Sequence, residues 1–424
     1  LVTKCHLPFG QVALFCFPAK FHRHKPVSLG RPAFFIAGDR RKERSMQTCQ
    51  DNYSTVFSSF GEMQTYHQRL SQESQWRRCR VRDLTIEPLD SKSPLAEDLP
   101  AFAPGTSQEA VRDTVRGLGL AMRVEGNLYP MRDTAYKSLL DRAKLRGSVL
   151  PKLSRPKLAR TLNDCLHVFT SDALVLIRDE KVAAAHSGEP ADYAVLPADE
   201  LLEVLQAKLD SRFPGNQFET GYWDHTLTSA VWALPGQKEE LLRTYQQELA
   251  VRGKTGVESR LTPAVQFLTS DIGVSSAKVI ALLEGGKTPI HIGSCVAVDH
   301  RCWAKVEDFD KSLDQLFAQF QDSVGKLQKL LNVYLDYPVN AMTRVCKKLN
   351  LPKKAALEAI HQFEVTYGGG PATAHDVFLA MQEIPFFLSC DHAPESKLLA
   401  VAESLARALT FRWEDYDLAK GVEY

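Results

Sequence analysis

Between Ala173 and Val298 the chain passes through a series of short apolar runs, and several connections between them are too short to hold a crossover helix. Parallel neighbours in one sheet need a crossover of a dozen or so residues, so strands joined this tightly pair antiparallel. LVLIR, the turn Asp179-Glu180 and KVAAAHS read as a hairpin, with YAVLP as a further strand. The helix DELLEVLQAKL follows, with Asp199 as its cap. NQFETGYW and HTLTSAVWAL, the helix QKEELLRTYQQELAV, and then LTPAVQFLTSD, AKVIALLEGG and PIHIGSCVAV complete the block. The expected fold is α+β, with a mostly antiparallel or mixed central sheet, flanking helices and a helical C-terminal region.

Helical periodicity brackets this block. Upstream, Tyr136, Leu139, Leu140 and Ala143 share a face, Gly147 and Pro151 interrupt, and Leu158, Leu162 and Leu166 resume, which predicts a helical hairpin. Downstream from Val306, Phe309, Leu313, Leu316, Phe317, Phe320, Val324, Leu327, Leu330 and Leu331 recur by threes and fours, the stripe of one long helix seated on a core. Further helices are expected near 338–349, 353–364, 373–388 and 395–411. The resulting division is an N-terminal extension (1–45), a polar region and linker (46–107), an α+β core (108–305), a helical region (306–412) and a tail (413–424).

In residues 1–45 prolines break every apolar run and no helical or alternating period survives. Three readings are open: upstream sequence translated ahead of a start at Met46, a disordered tail, or a targeting segment. The first is preferred, because Pro8 and Pro18 spoil the apolar stretch a secretory signal needs. The charge is uneven. Residues 1–45 hold nine Lys/Arg against two acids, leaving 43 against 49 in the remainder, a mildly acidic body. Nucleic-acid binding therefore requires a local patch of cations. No run approaches the roughly 18 consecutive apolar residues of a membrane helix. The nine cysteines are scattered, with no CxxC pair, which reads as reduced thiols in a cytoplasmic protein.

Catalytic motifs are near misses. Glu284-Gly285-Gly286-Lys287-Thr288 supplies the end of a phosphate-binding loop, but Ala281 stands where its first glycine belongs and Pro289-Ile290-His291-Ile292 returns to strand character. A hairpin turn with a solvated lysine is the simpler account. Cys295, His300 and Cys302, or Cys390, Asp391 and His392, carry metal-ligating chemistry without the usual spacing. His300 and Cys302 would share a strand face, and a core cysteine beside a partly exposed histidine explains them without metal. No metal site and no cofactor are expected.

Six cations, Lys144, Arg146, Lys152, Arg155, Lys157 and Arg160, surround the helical hairpin, the clustering that phosphate contacts demand. AMTRVCKKLNLPKKAALEAIHQF has the outline of a helix-turn-helix, with Lys353, Lys354, Glu358 and Gln362 available, although Asn350 stands where glycine is favoured; a plain helical hairpin accounts for it as well.

The stretch LVLIRDEKVAAAHSGEPADYAVLPADELLEVL, with Arg178, Ala183, Ser187 and Tyr193 at its marked positions, resembles the core signature of the phage/plasmid-like family called domain of unknown function 932. TAHDVFLAMQEIPFFLS resembles that family's C-terminal helix, and the resemblance spans about residues 130–412. It implies carriage on phages, plasmids and conjugative elements and assigns no catalytic residue. The expectation is a non-enzymatic accessory protein bound to DNA, single strands favoured, in replication or transfer. A protein-interaction factor such as a host-defence modulator is the alternative, and a metal-dependent nuclease the third. The oligomeric state is left open.

Overall fold

The computed structural model describes residues 48–424 except 146, 148, 255, 257–259, 286, 287 and 369, and only the backbone at 294 and 295. The readings placed on residues 1–45, on Arg146, on Gly286 and Lys287, and on the side chain of Cys295 fall outside the described residues. In chain order the elements are β1 (Ser54–Phe57), α1 (Phe60–Glu73), β2 (Gln75–Arg80), β3 (Thr85–Pro88), α2 (Gln108–Arg116), β4 (Leu120–Val124), β5 (Asn127–Pro130), α3 (Asp133–Arg142), α4 (Arg155–Leu166), β6 (Asp172–Arg178) and β7 (Lys181–Ser187). Then come α5 (Ala198–Arg212), β8 (Gln217–Asp224), β9 (Thr228–Ala233), α6 (Lys238–Val251), β10 (Thr262–Thr269), β11 (Ala277–Glu284) and β12 (Ile290–Val298). The C-terminal part holds α7 (Val306–Leu313), α8 (Leu316–Lys329), β13 (Tyr334–Leu335), α9 (Pro338–Lys348), α10 (Lys353–Tyr367), β14 (Ala372–Thr373), α11 (Ala374–Met381), α12 (Ile384–Cys390) and α13 (Glu395–Ala406).

The protein is α+β with antiparallel sheets. The largest has the order β1-β8-β9-β10-β11-β12, and each neighbouring pair in it is antiparallel. Its short connections are built locally. Between β8 and β9, Asp224 Oδ1 accepts from Thr226 N (2.7 Å) and Leu227 N (2.9 Å), an Asx turn that closes the hairpin. β10 and β11 read as nearly unbroken apolar runs because both faces of the sheet are covered. On one face Trp232, Val265, Phe267 and Val279 pack with Leu205, Tyr245 and Phe309 of α5, α6 and α7. On the other, Leu268 and Ile280 pack with Leu227 and with Leu399 of α13. A fully buried Leu or Phe contributes about 1.5–3 kcal/mol, so the first of these layers is a large share of the fold's stability.

Two three-stranded sheets, β2-β6-β7 and β3-β4-β5, stand beside it, joined by a parallel bridge between Met131 and Val182. The polar region and linker of 46–107 thus supplies strands to all three of these sheets: β1 pairs with β8, β2, which carries Trp76, Arg77 and Arg78, pairs only with β6, and β3 pairs with β4.

Some local expectations shift. YAVLP forms no strand, and Asp199 lies inside the first turn of α5, whose cap is Pro197. The helix expected from Val306 breaks at Asp314-Gln315 into α7 and α8, where Asp314 Oδ1 accepts from Lys208 of α5 at 2.9 Å; the apolar stripe continues across the break. The 373–388 helix likewise divides into α11 and α12. Among the described residues no helix is long and apolar enough to cross a membrane.

Candidate functional site

Both helices form as their periodicity requires, but they do not pack on each other as a hairpin: α3 lies on β7 and α4 on β3, with Tyr136 and Leu139 of α3 and Leu158, Leu162 and Leu166 of α4 buried in one cluster that includes residues of β4 and β6. Burying those positions turns the intervening ones outward. Lys144, Lys152, Lys157 and Arg160 are exposed, and none takes part in an ion pair among the described residues. Lys157 and Arg160, three apart, share the outer face of α4.

Arg155 does not belong with them. Its guanidinium donates to the carbonyls of Leu89 (3.2 Å), Val115 (2.6 Å) and Gly117 (3.1 Å), fastening α4 to the end of α2 and the loop after β3. It lies across Gly119, a residue at φ +67°, where a Cβ would come within 1.9 Å of Arg155 Nε. Asn163, beside the cluster, is also structural: its amide accepts from Ile86 N (2.7 Å) and donates to Ile86 O (2.9 Å), replacing a missing strand at the edge of β3.

The signature hairpin β6–β7 turns through Asp179 and Glu180, both left-handed at φ 48° and 67°. This turn carries charge inward. Lys181 is fully buried, with its ammonium 2.9 Å from Asp51 and in contact with Asp113. Arg132, also buried, sits 3.0 Å from Asp51 and 3.6 Å from Asp179, while donating to the carbonyl of Thr48. Glu180 accepts from the backbone N–H (2.8 Å) and hydroxyl (2.6 Å) of Ser107, the cap of α2. A cleft of about 190 Å³ opens onto this network, lined by Asp51, Arg132, Lys137, Asp224 and His225 among others.

Of the four signature residues, Arg178 and Tyr193 converge. Arg178 pairs with Asp271 at 2.6 Å and donates to Ser74 Oγ at 2.8 Å, and Tyr193 donates its hydroxyl to the carbonyl of Asp271 at 2.6 Å. Ala183 is a core residue whose carbonyl accepts from Thr134, and Ser187 Oγ accepts from Glu189 N. Tyr193 stacks on His186 with ring centroids 3.7 Å apart and planes 6° apart. Burial, followed by the charges of His300 and Arg142, pushes the His186 imidazole down to about 3, so it is neutral at physiological pH. His67, Asp199, Arg178 and Asp271 line a small cleft of about 80 Å³ together with Leu70, Trp76 and Val195. His67 is neutral there, pushed down to about 4 by burial, and its Nε2 has no hydrogen-bond partner.

The expected burial of the cysteine and histidine reverses. β12 ends at Val298, so His300 and Cys302 share no strand face; His300 is the buried one, near Thr269 Oγ1 and Ala194 O at 3.3 Å each, and Cys302 is exposed. Among the described residues no group of three or more His, Cys, Asp or Glu is disposed to hold a metal ion. Glu284 ends β11, which pairs antiparallel with β12 from Ile290, Gly285 lies at φ 125°, and no helix begins among the described residues between the two strands. In the 338–367 pair, Asn350 adopts φ 52° between α9 and α10, the conformation for which glycine is favoured, and Lys354 is held by Asp391 at 2.7 Å.

No protein-family model, no curated protein and no solved structure matches this chain.

Sequence reading missed Asp51, Asp113, Arg132, Lys181, Asp271 and His67. They come from separate segments and gather in two groups, Asp51, Asp113, Arg132 and Lys181 in one and Asp271 and His67 beside Arg178 in the other, because β6–β7 lies between α2, α3 and the β10–β11 loop. The one local signal was the density of charge at a predicted turn, Arg178-Asp179-Glu180-Lys181, where solvated side chains are the default.

Proposed function

We propose that this chain is a DNA-associated accessory protein of a phage, plasmid or conjugative element, holding single strands on the α3–α4 segment. The observation that carries the reading is the set of four exposed cations without carboxylate partners, Lys144, Lys152, Lys157 and Arg160, on a body with 43 Lys/Arg against 49 Asp/Glu. Cations left unpaired on an acidic protein are available to phosphate, and clustering is what phosphate neutralisation needs. The mobile-element setting rests on the resemblance of the β6–β7 segment.

Fluorescence anisotropy with labelled single- and double-stranded oligonucleotides across a salt series tests it. Four phosphate contacts on a single strand give a log–log salt slope of about −3. Changing all four cations to Gln should flatten that slope and weaken binding. Absent or salt-independent binding to both forms of DNA overturns the reading.

A protein-interaction role is the second reading, favoured by Leu357, Val365 and Tyr367, which are exposed at 42%, 71% and 46% on α10. Association with a protein in nuclease-treated extract, lost on Val365→Lys, would support it over DNA.

A further inference from the structure

Trp303 is at odds with the rest of the protein's tryptophans. Trp223, Trp232 and Trp413 are fully buried and Trp76 is half-buried, whereas Trp303 is 64% exposed. It also follows Cys302 in the left-handed region, both at φ 58°. The backbone has a reason for this: the N–H groups of Cys302 and Trp303 donate to the carbonyls of Ala191 (3.0 Å) and Pro190 (3.1 Å), tying two loops together. The side chain has none. Glycine or asparagine would make the same backbone bonds with less left-handed penalty, and the indole gains little burial to offset it. Among the described residues its ring has no aromatic or cationic neighbour. Folding does not account for a large aromatic residue at this position.

The surroundings indicate what the ring meets. Two residues before Pro190, the Gly188 carbonyl accepts from Arg78 of β2, and Gly188 N–H donates to the Asp172 carbonyl at 2.9 Å. Arg80 stands opposite Asp172 in the β2–β6 register. Arg142, the last residue of α3, donates to the carbonyls of His186 and Asp172, both at 2.7 Å, and Lys144 follows two residues later. The Trp303 loop, the basic edge strand and the start of the α3–α4 cation cluster therefore occupy adjoining segments. Exposed Arg78, Arg80 and Lys144 lie along them. Of the nearby carboxylates, Asp299 is paired with Arg301 at 2.9 Å and Asp192 and Asp172 lie in the field of Arg142, while Glu189 has no ion pair among the described residues.

We infer that Trp303 is a base-stacking platform for single-stranded nucleic acid, whose phosphates run over Arg78, Arg80 and Lys144 toward the α3–α4 cations; this rests on the DNA reading above. A duplex keeps its bases stacked on one another and offers none to an isolated ring, so Trp303 acts on single strands alone.

Titrating an oligothymidylate and a duplex oligonucleotide into the wild-type chain, Trp303→Ala, Trp303→Phe and Glu189→Gln variants tests this, with anisotropy for affinity and tryptophan emission for the ring. Wild-type emission should be quenched by the oligothymidylate. Trp303→Ala should lose that quenching and roughly tenfold in single-strand affinity, with duplex affinity and thermal midpoint unchanged. Trp303→Phe should keep most of the affinity and Glu189→Gln should bind more tightly. Equal single-strand affinity in wild type and Trp303→Ala, with salt-sensitive binding retained, overturns the stacking role and leaves the DNA reading standing. Failure of the wild-type chain to bind either oligonucleotide overturns both.

Discussion

Arg178 and Asp271, 93 residues apart, meet at 2.6 Å with side chains only 7% and 14% exposed. The pair joins the tip of the β6–β7 hairpin to the loop between β10 and β11, and so links a small sheet to the largest one. It also fixes the Asp271 backbone, whose carbonyl takes the Tyr193 hydroxyl, so the aromatic stack of Tyr193 and His186 depends on it.

Arg178→Ala should therefore be strongly destabilising. Removing one member of a buried pair leaves the other charge uncompensated, at a cost of about 3–5 kcal/mol. Urea unfolding followed by circular dichroism should show a lowered midpoint with an unchanged slope. A midpoint within error of wild type would mean that solvent already screens Asp271.

The architecture was legible where one physical pattern fixes one outcome. Tight connections imposed antiparallel pairing on β6–β7, β8–β9, β10–β11 and β11–β12, whereas β9 and β10 pair antiparallel across the longer connection that holds α6, and the spacing of Leu158, Leu162 and Leu166 placed the buried face of α4. Outcomes decided by tertiary partners were not legible. Arg155 and Lys157 are indistinguishable as sequence, yet three carbonyls from distant segments claim one of them and none claims the other. His300 and Cys302 exchanged the expected burial because β12 stops at Val298, a boundary set by where β11 begins at Ala277. The ion network of Asp51, Asp113, Arg132 and Lys181 draws on four segments, each unremarkable alone.

Acid should destabilise the protein through its buried histidines. Burial pushes His67, His291 and His375 down to about 4 and His186 to about 3, against 6.5 when unfolded. Between these values the unfolded chain binds protons that the folded chain refuses, so stability is full above about 6.5 and falls as pH drops toward about 4. His67 tests this cleanly: its Nε2 makes no hydrogen bond, and its ring lies beside Phe57 and Tyr66. His67→Phe should leave the urea midpoint at pH 7.5 nearly unchanged and reduce its loss at pH 5. An identical pH dependence in the variant would refute the assignment.

The Lys181 ammonium bridges Asp51 and Asp113 with no exposure to solvent. Lys181→Met should cost about 3–5 kcal/mol, since it leaves two buried-side carboxylates with less compensation. Adding Asp113→Asn removes one of those charges. The double variant should be less destabilised than the sum of the two singles, and a double-mutant cycle in urea reads the coupling directly. Strict additivity would show that Asp113 does not share the ammonium.

The last prediction separates a structural cation from the functional ones within a single cluster. Arg155→Gln removes donors from three backbone carbonyls, two of them in part-buried hydrogen bonds, which should lower stability by roughly 1–3 kcal/mol, while the salt dependence of DNA binding stays as in wild type. Lys157→Gln should do the reverse: an exposed side chain without an ion pair leaves the unfolding midpoint in place, and losing one phosphate contact reduces the salt slope by about 0.7 on a single strand. Gly119→Ala, whose Cβ would fall within 1.9 Å of Arg155 Nε at a left-handed φ of +67°, should lower stability through the clash and the backbone strain together, without touching any charge. Should Arg155→Gln instead flatten the salt slope at unchanged stability, its guanidinium would have to leave the carbonyls and reach phosphate.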